Sequence, residues 1–283
     1  MQSLQLQTRE EGIPSNSRTL PFLKWAGGKR WLTKNYSELF PTEFNRYIEP
    51  FAGSAAVFFH LSPKSAILAD INQDLISSYE AIKNDWRQVF SFLEKHHKEH
   101  EKDYYYRIRE KGNSNNPFEN AANFIYLNRT CWNGLYRVNL KGKFNVPVGT
   151  KDKVILESDN FSSVASMLED TLLCCNHFSQ TIQMAKEGDF LFVDPPYTVN
   201  DDKSGFIQYN KNLFAWEEQV KLAEQVKQAA ERGVKIMVTN AYHPSLLELY
   251  KGVGEHLKLN RHNVLAGKKE FRGRYNELIV RTY

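Results

Sequence analysis

Asp189-Phe-Leu-Phe-Val-Asp-Pro-Pro-Tyr197 decides the reading of the fold. Phe190 to Val193 is too short for a helix, is rich in β-formers, and is closed by Pro195 and Pro196 just beyond Asp194. The spacing predicts a buried central strand whose C-terminal end carries Asp194-Pro195-Pro196-Tyr197. In open α/β sheets that end is where ligands bind. The tetrapeptide supplies a carboxylate, a backbone that cannot donate at the two prolines, and an aromatic face. It offers acceptors and a stacking surface, but no nucleophile.

Upstream, Arg46 to Glu49 reads as a short strand that breaks at Pro50 and enters Phe51-Ala-Gly-Ser-Ala-Ala-Val-Phe-Phe-His60, where small residues turn the chain into a helix. Ser65 to Ala69 reads as a second strand ending in Asp70. The distance from Gly53 to Asp70 is about that from a glycine loop to a ribose-binding carboxylate. A single Gly53 does not make a dinucleotide fingerprint, so a nucleoside other than NAD is expected. Phe22-Leu-Lys-Trp-Ala-Gly-Gly-Lys-Arg30 sets two glycines between cations and aromatics, suited to cradling an anion or carboxylate in backbone N–H groups. It lacks the spacing of a Walker phosphate loop. Residues 1–20 are polar and aperiodic, and read as a mobile tail.

From Leu75 to about Tyr126 the apolar spacing is helical, with a break at Gly112 to Pro117. Helices inserted after the second strand of an α/β sheet predict a separate lobe. Its His96, His97 and His100 sit among lysines and glutamates, which favours a solvated face over a metal site. The lobe ends in Leu127 to Gly149, where turn signals at Asn133-Gly134 and Lys141-Gly-Lys143 predict an exposed hairpin or loop. Arginine, asparagines and a wedge-like Trp or Leu there suit a nucleic-acid reader. Thr171 to Cys175 reads as a strand with Phe178 beyond it, and Thr198 to Lys211 as a polar lid. Glu217 to Arg232 reads as a helix with Val220, Ala223, Val226 and Ala230 on one face. Val234 to Thr239 and Asn276 to Arg281 read as closing strands.

With 283 residues, 41% apolar and 25% charged, the chain has the composition of a soluble α/β protein. The net charge of +4 is concentrated in two aromatic-bearing stretches, 129–153 and 261–274, as on a surface meeting phosphates and bases. Cys131, Cys174 and Cys175 have neither zinc nor disulfide spacing and are expected as reduced core thiols. No signal peptide or membrane-spanning run is evident, so an intracellular, cytoplasmic protein without a membrane partner is expected.

The motifs, taken in order, resemble the DNA adenine methylase (Dam) family of alpha-class N6-adenine methyltransferases, over nearly the whole chain from Pro21. The resemblance implies a Rossmann-like mixed sheet over 21–75 and 154–283, and a mostly helical target-recognition domain with a β-hairpin over 76–153. It implies S-adenosylmethionine as methyl donor, S-adenosylhomocysteine as product, no metal, and double-stranded DNA as partner to a monomer. A cognate restriction endonuclease is a further partner compatible with it. Trp25, Ala26, Gly27 and Lys29 would lie along the methionine part of the cofactor. Phe51, Ala52, Gly53, Ser54 and Ala55 would wrap the cofactor, Asp70 would hold its ribose, Phe178 would pack on its adenine, and Asp194 would border it. Ala55 departs from the family's pattern, which has glycine there, and puts the cofactor affinity in question.

The resemblance also implies a GATC reader. Lys24 would contact the outer guanine, Trp132 would insert beside the vacated stack, Asn133 would face the orphaned thymine, and Leu135, Arg137 and Pro147 would read bases. Asn139, Asn145 and Arg129 are assigned to phosphate contacts or to holding the hairpin. The chemistry fits the opening tetrapeptide: an adenine amine is a poor nucleophile because its lone pair is delocalised. Asp194 and the Pro195 carbonyl can each accept one amine hydrogen and restore density to nitrogen, while Tyr197 stacks on the base. RNA or a protein glutamine as substrate, a cytosine-N4 reaction, and an inactive DNA-binding relative are the competing readings.

Overall fold

The computed structural model describes residues 19–139, 142–200, 214–262 and 274–283. The tail expected over 1–20 lies outside the described residues up to residue 18, as do the expected lid from 201 onward and the second basic stretch over 263–273.

Seven strands form one mixed sheet: β1 (Tyr47–Glu49), β2 (Ala66–Asp70), β3 (Thr171–Cys175), β4 (Phe190–Val193), β5 (Lys235–Ala241), β6 (Glu255–His262) and β7 (Arg274–Arg281). Their spatial order is β3-β2-β1-β4-β5-β7-β6. The first five run parallel, and β7 runs antiparallel between β5 and β6. β1 and β4 are buried along their whole length; β4 reads as an unbroken apolar run, whereas β1 ends in the buried Glu49. Successive residues feed opposite faces. Tyr47, Phe190, Phe192 and Met237 join one core, while Ile48, Leu191, Val193 and Val238 join the other. β6 was not expected from the sequence. Only Leu257 and Leu259 give it an apolar face, as an edge strand covered on one side allows.

The described helices are α1 (Arg30–Asn35), α2 (Ala56–Leu61), α3 (Gln73–Glu99), α4 (Lys102–Lys111), α5 (Pro117–Thr130), α6 (Phe161–Leu168), α7 (Phe178–Gln183), α8 (Trp216–Glu231) and α9 (Pro244–Leu249). Asn72 caps α3 through Leu75 N at 3.1 Å, and Asn116 caps α5 ahead of Pro117, which produces the break seen in the sequence. α3 to α6 are threaded between β2 and β3 and share the first core with the sheet. The boundary expected at residues 75 and 76 falls inside α3.

Two expectations need correction. His96 does not belong to a solvated face: it is buried, its Nδ1 lies 2.8 Å from the Tyr104 hydroxyl, and its ring stacks on Tyr126 at 4.7 Å. Its three-residue spacing from buried Leu93 turns it toward α5. Desolvation lowers its pKa to about 4 and keeps the ring neutral. His97 is exposed as expected, and His100 is half-buried with Nδ1 2.9 Å from the Tyr126 hydroxyl. On α8 the buried stripe is Gln219, Leu222, Ala223, Val226 and Ala229, so Val220 and Ala230 flank the core instead of filling it. Gln219 is drawn inward by polar partners behind the Asp194 turn.

Candidate active site

β1 and β4 are neighbours, yet the chain leaves β1 toward β2 on one side and continues from β4 toward β5 on the other. This change of direction opens a crevice at the C-terminal strand ends, and three carboxylates meet its rim: Glu49 ending β1, Asp70 ending β2, and Asp194 following β4.

Lys29 Nζ lies 2.8 Å from both Asp194 oxygens and donates to the Gly27 carbonyl at 2.9 Å. Thr239 Oγ1 donates to Asp194 Oδ1 at 2.6 Å. Burial raises the Asp194 pKa above the ordinary carboxylate value, and the Lys29 ammonium opposes that rise. The Tyr197 hydroxyl donates to Glu277 Oε2 at 3.0 Å, and its ring lies 5.0 Å from Lys29 Nζ. The Pro196 carbonyl accepts from Gln219 Nε2 at 3.1 Å. Among the described residues no donor is recorded on the Pro195 carbonyl. Glu49 is buried and accepts from the Tyr47 hydroxyl at 2.9 Å; desolvation pushes its pKa well above the ordinary carboxylate value.

At the ends of the neighbouring strands β1 and β2 lie the residues expected to receive a nucleoside. Asp70 Oδ2 accepts from Gly53 N at 3.1 Å and Oδ1 from Asn72 N at 3.0 Å, which pins the carboxylate at the turn. Phe51 and Phe178 stack at 5.5 Å, with Phe178 buried. Gly53 has φ +47, and a Cβ there would meet the Trp25 indole at 2.7 Å, so only glycine lets the turn close on Trp25. Ala52, Ser54 and Ala55 are buried, whereas Ala26 and Gly27 are exposed. Ala55 adopts the left-handed φ 50, ψ 39 at the head of α2. The backbone keeps a glycine-type conformation and carries the strain of the extra methyl.

The described residues 131–139 and 142–149 form a largely exposed loop in which Cys131, Gly134 and Val146 are buried, with two single bridges, Cys131 to Val148 and Val138 to Phe144. Trp132 is 51% exposed; Asn133, Leu135, Arg137 and Pro147 are exposed as well. Asn133 has φ 55 and turns the chain at the loop's tight corner. Arg137 Nε donates to Asn145 Oδ1 at 2.7 Å, and Asn139 Oδ1 accepts from Lys143 N at 3.1 Å, so both asparagines hold the loop. Lys24 is tied to the loop's base, its Nζ donating to the Arg129 carbonyl at 3.0 Å, while Asn128 bonds both its backbone N–H and its carbonyl. Arg129 must be removed from the candidate DNA contacts. It is 0% exposed, forms a bidentate pair with Asp159 at 2.6 and 2.7 Å, and donates to the Phe22 and Val154 carbonyls.

Residues 25–264 match the model of the D12 class N6 adenine-specific DNA methyltransferases. The chain belongs to this family. It is 35% identical to a type II methyltransferase of Lactococcus lactis subsp. cremoris, over 93% of this chain and 95% of that protein. It is 33% identical to the DNA adenine methylase of Haemophilus influenzae, over 97% of this chain and 98% of that protein. The DNA adenine methylase of Escherichia coli K12 is 34% identical, over 80% of this chain and 81% of its own length.

For a D12 class DNA methyltransferase, the residues the sequence reading passed over are informative. Gln219, Thr239, Asn240 and Glu277 touch or support the Asp194 turn, yet they are scattered over α8, β5 and β7 and share no sequence motif. Their signal lies in the strand register, which appears only once the sheet order is known. Among the described residues no helix is long and apolar enough to cross a membrane.

Proposed function

We propose that this DNA methyltransferase transfers the methyl group of S-adenosylmethionine to N6 of an adenine flipped out of duplex DNA, within GATC. The observation that carries the reading is the pair of acceptors at the end of β4: an Asp194 carboxylate held by Thr239 and Lys29, and a Pro195 carbonyl with no recorded donor among the described residues.

The crevice fits the proposed cofactor. The pinned Asp70 carboxylate suits vicinal hydroxyls, the Phe51–Phe178 pair suits a purine, and the Lys29 ammonium suits an amino-acid carboxylate. When bound, this group supplies an electrophilic methyl on a positively charged sulfur. The chain's own residues supply the rest. Asp194 and the Pro195 carbonyl accept the two amine hydrogens and draw the nitrogen lone pair out of conjugation. Alignment of that lone pair provides much of the rate. The proton that must leave the amine is held at the Asp194 carboxylate, whose proton affinity burial has raised. Tyr197 stacks on the base, an interaction worth about 1–3 kcal/mol that offsets unstacking.

Residues 76–153 serve as the target-recognition domain in this reading, with Lys24, Trp132, Asn133, Leu135, Arg137 and Pro147 toward the bases. Support comes from the exposure of Trp132, Asn133, Leu135, Arg137 and Pro147 on a loop whose frame is set by Asn139, Asn145 and the Arg129 clamp, with half-buried Lys24 bonded at its base. The likeness to a type II methyltransferase supports a setting with a cognate endonuclease.

Labelled S-adenosylmethionine with duplex DNA containing GATC is expected to yield N6-methyladenine, and mapping methylated adenines on a random-sequence plasmid is expected to return GATC. Label entering only RNA or protein removes the DNA reading. A different consensus keeps the chemistry and removes only the GATC assignment.

A further inference from the structure

The Asp194 turn is held from behind by residues that face neither solvent nor the recognition loop. The parallel register aligns Val193 with Val238, which brings the next residues, Asp194 and Thr239, side by side. Thr239 is fully buried, and its hydroxyl reaches Asp194 Oδ1 at 2.6 Å. The Lys29 ammonium lies 2.8 Å from both carboxylate oxygens and donates to Oδ2. Thr239 donates to the other oxygen, Oδ1, and fixes the side-chain torsion from the side opposite Lys29.

One residue further along β5, Asn240 is also fully buried, and its Nδ2 donates to Gln219 Oε1 at 3.2 Å. Gln219, fully buried on α8, passes the connection on through its Nε2 to the Pro196 carbonyl. Asn240 is anchored in turn by the Ala241 N–H at 2.9 Å. A glutamine in the middle of an apolar helix stripe forfeits its hydration, and these two bonds are what return it. Proline fixes φ at both 195 and 196, so holding the second carbonyl leaves the first little freedom.

We infer that Thr239, and the amide pair Gln219–Asn240, are positioning residues of methyl transfer. Thr239 sets the orientation of the Asp194 carboxylate, and the amide pair sets the peptide that carries the Pro195 carbonyl. The inference rests on the reading of Asp194 and Pro195 as the acceptors of the amine hydrogens.

The test compares Thr239→Val, which keeps the shape and loses the hydroxyl, with Thr239→Ser, which keeps the hydroxyl. The readout is the single-turnover rate on duplex DNA carrying the unmethylated target site, with S-adenosylmethionine and DNA dissociation constants measured alongside. Thr239→Val is expected to slow transfer roughly 10- to 100-fold while both dissociation constants stay within about twofold. The acidic limb of its rate–pH profile is expected to move to higher pH, because a donor that favoured the charged carboxylate is gone. Thr239→Ser is expected to restore both rate and profile. Gln219→Met is expected to slow transfer roughly 3- to 10-fold without moving the pH limb.

A wild-type rate and pH profile in Thr239→Val, or equal losses in the Val and Ser variants, overturns the inference. Should the Val variant melt below the assay temperature, Thr239→Cys, a weaker donor of similar size, takes its place with an intermediate rate expected. Asp194→Asn separates the two levels: full activity there removes the underlying reading, whatever Thr239 does.

Discussion

The Asp194–Tyr197 turn and the 131–149 loop are both irregular segments of one chain, and they are held in opposite ways. The turn is short, set on a fully buried strand, and fastened through Thr239, Lys29, Gln219 and Glu277. The loop exposes Trp132, Asn133, Leu135 and Arg137, is paired by two isolated bridges, and is seated through Val146 and Tyr136, while Arg137 and Asn139 bond within it. A methyl transfer has one geometry, so an error of an ångström is costly there. If the loop meets DNA, as proposed, it does so through long side chains that settle on contact, and there exposure matters more than fixity.

The largest blow to this contrast would come at its rigid pole. Asp194→Ala is expected to reduce transfer about 1,000-fold or more while DNA and cofactor still bind in equilibrium assays; loss of binding would instead mark Asp194 as a structural residue. Next comes Arg129, which lies at the loop's base but is built like the turn. Arg129→Leu is expected to cost about 3–5 kcal/mol of folding stability by urea titration, because it strands the buried Asp159 carboxylate. A change below about 1 kcal/mol would return it to the DNA contacts.

His96 extends the contrast into the helical scaffold. Its folded pKa of about 4 lies below its ordinary value, so the unfolded chain binds the proton more readily. Its contribution to stability is complete above about pH 6.5 and falls by about 3 kcal/mol as pH drops toward 4. Urea midpoints across that range are expected to depend less on pH in His96→Phe. At the flexible pole, Arg137→Ala is expected to leave stability unchanged and relax discrimination at one guanine by roughly 1–3 kcal/mol. Uniform weakening on every sequence would make it a phosphate contact. The smallest expected effect is at Ala55, where glycine is expected to relieve backbone strain by about 1 kcal/mol, read as a modest rise in melting temperature.

The same division governs what was legible in the sequence. β4 announces itself through an unbroken apolar run, its parallel neighbours through short β-rich runs with polar ends, and the long helices through three- and four-residue spacing and asparagine caps. The Asp194 tetrapeptide is visible because its residues are contiguous. Gln219, Thr239 and Glu277 are not, because they come from three separate elements and converge only through sheet order and register. Arg129 and His96 misled for a related reason: a charged or titratable residue in a polar stretch looks solvated until a helix face turns it inward. β6 escaped because two leucines give an edge strand too little periodicity.

The Arg129 guanidinium bonds Phe22 on one side and Val154 and Asp159 on the other, just outside the two ends of the exposed loop. Within that clasp, Trp132 N bonds the Pro147 carbonyl and Gly149 N bonds the Thr130 carbonyl, closing the neck. The segment beyond the neck is itself seated on the fold: Val146 is buried, its carbonyl accepts from the Tyr105 hydroxyl at 2.9 Å, and the Tyr136 ring stacks on Trp25 at 5.7 Å. Exposed side chains such as Trp132, Leu135 and Pro147 are therefore the ones that can be exchanged without unseating it, and in the proposed reading those exchanges rewrite the DNA sequence that is marked.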